Sequence, residues 1–154
     1  MKININHFVS ILKTGKTLLY PTDTIWGLGC DATNQAAVAK IYALKKRDLS
    51  KPLIALVADV NMLSNYVSEL PENIHALLKS DVPTTLVYPK GKGLAKGVMA
   101  HNGSVAIRIP TAGFALDLVI SFGKPIVSTS ANISDATVPE SVDEIDPHIL
   151  AQVD

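Results

Sequence analysis

The chain predicts an α/β fold in the α+β sense: one domain with a single twisted sheet of mixed parallel and antiparallel strands, flanked by helices. Three observations carry this. Short β-prone runs alternate with segments of helical spacing along the whole chain. Several connections between them are too short for a right-handed parallel crossover, so the sheet has to be mixed. The 154 residues are 47% hydrophobic, 18% charged and 5% aromatic, enough for one domain packed mainly by small aliphatic side chains and too apolar for a disordered chain.

Asn4 to Lys13 places Ile5, Phe8, Val9 and Leu12 at helical spacing, with Gly15 able to end the helix. Thr17 to Tyr20 reads as a short buried strand, and Pro21 to Asp31, with Gly27 and Gly29, as a loop. Asn34 is an N-cap for a helix reaching Lys46 with Val38, Ile41 and Leu44 on one side. After Pro52, the continuous apolar run Leu53 to Ala58 has the length of a buried strand. Asp59 to Val67 and Glu72 to Lys79 predict two short helices separated by Pro71. Thr84 to Tyr88 is β-prone between prolines, and Lys90 to Gly97 is a Gly/Lys-rich loop. Ser104 to Ile109 alternates as a strand, Ala112 to Phe122 is an apolar helix closed by Gly123, and Pro125 to Thr129 is a last strand running into the polar turn Ser130 to Asp135. Beyond it only Ser141 to Ile145 carries a weak helical signal.

Fourteen basic residues balance fourteen acidic ones, so net charge gives no general pull toward nucleic acid or an anionic membrane. The lone Cys30 allows no internal disulfide and no thiolate zinc cluster, which suits a reducing cytoplasm. No apolar run reaches the roughly 18 residues a membrane span needs, and no signal peptide is visible. His7, His75, His101 and His148 lack metal-ligand spacing, so no metal ligands are assigned.

Four stretches can carry chemistry. Pro21-Thr22-Asp23-Thr24-Ile25-Trp26-Gly27-Leu28-Gly29 puts two hydroxyls and a carboxylate just after a strand, where open sheets bind ligands; the same residues also make a good turn. It is no P-loop, because no Gly-Lys-Ser/Thr follows. Lys45-Lys46-Arg47, then Lys51, can be a solvated helix end or a phosphate grip. Within one helix Lys45 and Arg47 would lie roughly 200° apart, so they converge only if the helix ends near Lys46, which Asp48, Ser50 and Pro52 favour. Arg108 interrupts the apolar strand Ser104 to Ile109: either it snorkels to water or it holds an anion such as a carboxylate. Ser128-Thr129-Ser130-Ala131-Asn132 offers hydroxyl and amide donors after a strand, suited to phosphate oxygens or to a capped turn.

Taken together in this order and spacing, Thr22 to Gly29, Lys45-x-Arg47, the Arg108 strand and Ser130-x-Asn132 resemble the YrdC/Sua5 family over about Thr17 to Asn132. The resemblance implies a YrdC-like α/β sheet with a concave basic face and an L-threonylcarbamoyladenylate synthase, a nucleotidyltransferase that makes threonylcarbamoyl-AMP and pyrophosphate from L-threonine, bicarbonate and ATP. The product serves adenosine 37 of tRNA, reached directly or through the threonylcarbamoyl-transferase machinery. It further implies Lys45, Arg47, Ser130 and Asn132 as the catalytic set at the ATP phosphates, with Lys51, Ser104 and Val138 as further ATP contacts. Thr22 or Thr24, with Arg108 and Ser128, would hold threonine, and Mg2+ would accompany ATP. Such chemistry needs positioning and charge neutralisation, not a covalent nucleophile.

The chain departs from the family in having Asp81-Val82 before Pro83 where many relatives have a Pro-Gly-Pro turn. It has Ser134-Asp135 where many have Ser-Gly, so a different local turn is expected there. Relatives also continue into a segment that returns to the sheet, so residues 1–154 are expected to form one YrdC-like domain lacking its C-terminal strand segment. Two rival readings stand beside the synthase. One is an RNA-binding module using Lys40, Lys45, Lys46, Arg47 and Lys51 or Lys90, Lys92 and Lys96, against which stand the zero net charge and few aromatics. The other is a non-catalytic paralogue that binds nucleotide or RNA alone.

Overall fold

A computed structural model describes residues 4–22, 25–79 and 82–154. Helix α1 (Ile5–Lys13) starts where the Asn4 side chain accepts from the Asn6 amide at 3.2 Å and buries Val9 and Leu12; Gly15, at φ 73, turns the chain out of it. Strands β1 (Leu18–Pro21) and β2 (Trp26–Gly29) then pair antiparallel, Leu18 opposite Gly29 and Pro21 opposite Trp26. The loop expected over Pro21 to Asp31 is thus largely a hairpin. Its glycines are strand residues because neighbours crowd them: a Cβ on Gly29 would lie 2.4 Å from the Val127 carbonyl oxygen and 2.7 Å from the Tyr20 ring.

Helix α2 (Gln35–Lys45) is capped by Asn34, whose side chain accepts from the Ala37 amide at 3.0 Å. It stops at Lys46, which takes a left-handed φ of 48. The expected helix end there is present, and Arg47 leaves in a new direction. Strand β3 (Ile54–Leu56), helices α3 (Val60–Tyr66) and α4 (Ile74–Leu77), strands β4 (Thr85–Tyr88) and β5 (Val105–Arg108), helix α5 (Phe114–Phe122) and strand β6 (Ile126–Ser130) follow as the sequence predicts, within a few residues. Helix α6 (Pro147–Gln152) was not predicted. It is six residues long, capped by Asp146 and started by Pro147, and it drives only Ile149 fully into the core, too little for a visible period.

Among the described residues the strands form one sheet in the order β1-β2-β6-β3-β5-β4, antiparallel throughout except for β3 beside β5. This is the mixed α+β sheet the sequence implied. Its two faces carry separate cores. On one, Ala37, Val38, Ile41 and Leu44 of α2 and Ile149 of α6 pack on Leu53, Ala55, Val57, Val105, Ile107 and Val127. On the other, Val9 and Leu12 of α1 and Leu118, Val119 and Phe122 of α5 cover Leu18, Tyr20, Leu56 and Ile126.

Asp135 adopts the left-handed region at φ 66. The turn therefore keeps backbone that favours glycine, with a residue type that tolerates it better than most. Thr24, Asp23 and Asp81 lie outside the described residues.

Candidate active site

Side-chain alternation decides what the second sheet face shows beyond its apolar cover. In β6, Ile126 points into the α1/α5 core, so Ser128 and Ser130 point the same way further along the strand. The register sets Ser128 opposite Ile54 and Ser130 opposite Gly27. In β5, Val105 and Ile107 are core residues of the α2 face, which turns Arg108 to the other side, level with Leu56 and Thr85. A hollow of about 340 Å³ lies there, lined by Thr22, Gly27, Arg47, Ile54, Arg108, Ser128, Thr129, Ser130 and Val138, with Leu56 and Ala115 at its apolar end.

The Lys45-x-Arg47 and Ser130-x-Asn132 elements do meet. The left-handed turn at Lys46 sends their members to different depths. Lys45 is 1% exposed, and its ammonium donates to the Ser130 carbonyl at 2.5 Å, the Asn132 carbonyl at 2.7 Å and Asn132 Oδ1 at 3.1 Å. Three donors meet three acceptors, so this cation is saturated by protein. Burial, with the Arg47 guanidinium second, lowers its pKa to about 8. Asn132 is likewise interior: Oδ1 also accepts from Ser130 Oγ at 2.5 Å, and Nδ2 donates to the Ala136 carbonyl at 2.7 Å. Only Arg47 and Ser130 of this set line the hollow. Arg47 donates through Nε to the Lys51 carbonyl at 2.9 Å and through Nη2 to the Pro52 carbonyl at 3.1 Å, and its guanidinium also bonds the Tyr42 side chain.

Arg108 is half-buried and, among the described residues, held by a single bond, Nε to Thr85 Oγ1 at 3.0 Å. Its two terminal nitrogens keep the fork that fits a carboxylate. Ser128 sits against Tyr20, whose hydroxyl donates to the Val127 carbonyl at 3.3 Å; burial raises the Tyr20 pKa while the Ser128 bond opposes it. The Thr22 hydroxyl donates to the Ile25 carbonyl at 2.7 Å and accepts from the Ile25 amide at 3.1 Å, closing the hairpin at the hollow's wall.

Two of the remaining expected ATP contacts stand elsewhere in this structure. Ser104 shares the sheet face of Arg108 by alternation but lies at the far end of the strand, roughly 13 Å back at the usual rise, with its hydroxyl donating to Asn102 Oδ1 at 2.7 Å. Lys51 is not part of the lining: its ammonium pairs with Asp135, 3.3 Å from the carboxylate oxygen. Val138 does line the hollow. Sequence reasoning missed Thr85, Ile54, Pro52, Pro110 and Ala115. Strand register and helix placement bring them in, and no local motif marks them as site residues; Pro52 entered the sequence reading only as a helix breaker.

Among the described residues the lining contains two guanidiniums and no carboxylate, and neither arginine takes part in an ion pair. Half-buried positive charge with no ion-pair partner among the described residues favours an anion. Among the described residues no group of three His, Cys, Asp or Glu stands together to hold a metal. Nor, among them, is any helix long and apolar enough to cross a membrane.

Fold and hollow together define a single-sheet α+β protein with an arginine-lined hollow on one sheet face. The Sua5/YciO/YrdC family model, described as telomere recombination, matches residues 10–154. The chain belongs to that family. It is 31% identical over 157 residues to a threonylcarbamoyl-AMP synthase of Stenotrophomonas maltophilia, covering 99% of this chain and 84% of the relative. It is 34% identical to the enzyme of the same name from Pseudoalteromonas translucida, over 94% of this chain and 80% of the relative. The structure of P. abyssi Sua5 complexed with L-threonine superposes with a TM-score of 0.90 at 30% identity; it covers all of this chain, which spans about half (47%) of that protein.

Proposed function

We propose that this chain is a threonylcarbamoyl-AMP synthase, joining L-threonine, bicarbonate and ATP with release of pyrophosphate. Its product would serve adenosine 37 of tRNA in the cytoplasm, directly or through a separate transferase machinery. The observation that carries the reading is the pair of guanidiniums, Arg47 and Arg108, that line one hollow with no ion-pair partner among the described residues. The names of the relatives and the threonine complex of the P. abyssi protein support the substrate class.

In this reading Arg108 grips the threonine carboxylate with the fork that Thr85 orients, and Ser128 and a threonine of the hairpin turn, Thr22 or Thr24, border the amino acid. The threonine ammonium loses a proton, which converts bicarbonate to carbon dioxide and water; the free amine adds to the carbon dioxide and releases its second proton to solvent, leaving a carbamate. A carbamate oxygen attacks the ATP α-phosphorus, and the bond to the pyrophosphate oxygen breaks. Arg47 collects charge on the phosphoryl oxygens; the Ser130 hydroxyl joins it only by giving up its bond to Asn132 Oδ1, while Lys45 holds the Ser130 carbonyl in place from behind. Lys51 and Val138 border the nucleotide from the rim, and Ser104 lies on the same face for a ligand long enough to reach it. With no carboxylate in the described lining, magnesium enters on the triphosphate as part of the substrate. The test is pyrophosphate release. It should require threonine and bicarbonate together; release with ATP alone, or none with all three, rejects the synthase.

A further inference from the structure

The hollow has two facing rims, and one ion pair joins them. On one rim lies the Arg47 to Pro52 segment; on the other lies the segment from Ser130 to Val138. Lys51 Nζ stands 3.3 Å from both oxygens of Asp135. The pair is solvent-accessible, with side chains 50% and 83% exposed, so water and other anions compete for it. The base of Lys51 is fixed beside the site, since its carbonyl accepts from Arg47 Nε at 2.9 Å and from the Tyr42 hydroxyl at 3.0 Å. The flexible four-carbon stem above that base lets the ammonium face either Asp135 or an anion seated on Arg47. Asp135 in turn is held in a left-handed turn at φ 66, while the Asn132 amide donates to the Ala136 carbonyl next to it, so the carboxylate is presented at the rim.

We propose that Asp135 is a tuning residue. It occupies Lys51 in the free protein and thereby lowers the affinity of the hollow for polyanionic ligands, triphosphates more than monophosphates. The inference rests on the nucleotide reading above and deepens it. An exposed pair of this kind modulates binding by about two- to fivefold. Asn at the same position keeps the left-handed backbone and the size but drops the charge.

The experiment is a double-mutant cycle of ATP and AMP affinity by calorimetry in the wild type, Asp135→Asn, Lys51→Gln and the double variant, with melting temperatures confirming that all four fold. The expected result is ATP binding tightened about two- to fivefold by Asp135→Asn, AMP binding tightened less, and no gain when Lys51 is already Gln. The gain should shrink as potassium chloride is raised. An unchanged ATP affinity in Asp135→Asn overturns the proposal while leaving the nucleotide reading intact. The same gain in the Lys51→Gln background overturns it too, because the aspartate would then act without the lysine. Absence of ATP binding in the wild type removes the nucleotide reading and this inference with it.

Discussion

The two cationic sides of the hollow are built in opposite ways. Behind the α2 side, Lys45 is fully buried and every N–H of its ammonium meets an oxygen of the Ser130–Asn132 turn. On the β5 side, Arg108 is half-buried, bonds Thr85 through Nε and, among the described residues, keeps its two terminal nitrogens without a partner at the space it lines. Saturation is what separates a scaffold charge from a ligand charge. A buried cation whose donors are all engaged has nothing left to offer a substrate, whereas a partly engaged one at a lined hollow does.

The largest way to break this comparison is Lys45→Met. The methionine fills a similar volume but takes the ammonium donor from the Ser130 and Asn132 carbonyls, while Asn132 Oδ1 keeps only the Ser130 hydroxyl. We expect a loss of about 3 kcal/mol and a melting temperature lower by roughly 6–12 °C. A melting temperature within a degree of wild type would mean that the three bonds hold nothing in place. Arg108→Ala should behave in the opposite way. Stability should change little, while the threonine concentration needed for half-maximal pyrophosphate release rises by about tenfold or more and the ATP requirement less than about twofold. An equal rise for both substrates would detach Arg108 from the amino acid. Thr85→Val sharpens the same side more gently. It keeps the shape and removes the acceptor that aims Arg108, so the threonine requirement should rise about threefold at unchanged maximal rate.

Legibility in the sequence followed the same division. The helix end near Lys46 was readable from Asp48, Ser50 and Pro52, though not its left-handed conformation, and the family resemblance implied that the basic run meets the hydroxyl turn. The depth of each residue was not. Lys45 and Arg47 look equivalent as letters, and only the reversal at Lys46 sends one under the turn and the other into the hollow. The Thr85–Arg108 contact depends on β4 pairing beside β5 in one register, a long-range fact that no local pattern encodes. Gly27 and Gly29 misled because glycine marks turns more often than strands. Here the passing Tyr20 ring and Val127 carbonyl require it inside the hairpin. Helix α6 was lost for want of length.

A third charged anchor, far from the hollow, gives the comparison its smallest but cleanest test. Asp154 accepts from Lys40 Nζ at 2.6 Å and from the Thr17 amide and hydroxyl at 3.0 Å each, tying the end of the α6 segment to α2 and the start of β1. These bonds favour the charged form and lower its pKa from 3.8 to about 2. Lys45 is also lowered, from 10.5 to about 8, but by burial, which disfavours its charged form. The signs then differ. A depressed carboxylate adds stability that is complete above 3.8 and disappears as pH falls toward 2. A depressed ammonium makes the folded chain bind fewer protons than the unfolded one between about 8 and 10.5, so its contribution rises with pH there. Asp154→Asn should therefore lower the melting temperature at neutral pH, and its gap to wild type should close as pH falls from about 4 to 2, with the alkaline limb unaltered. A gap that stays constant across the acid range would show that the Asp154 charge does not hold the α6 segment, and that shape alone fixes it.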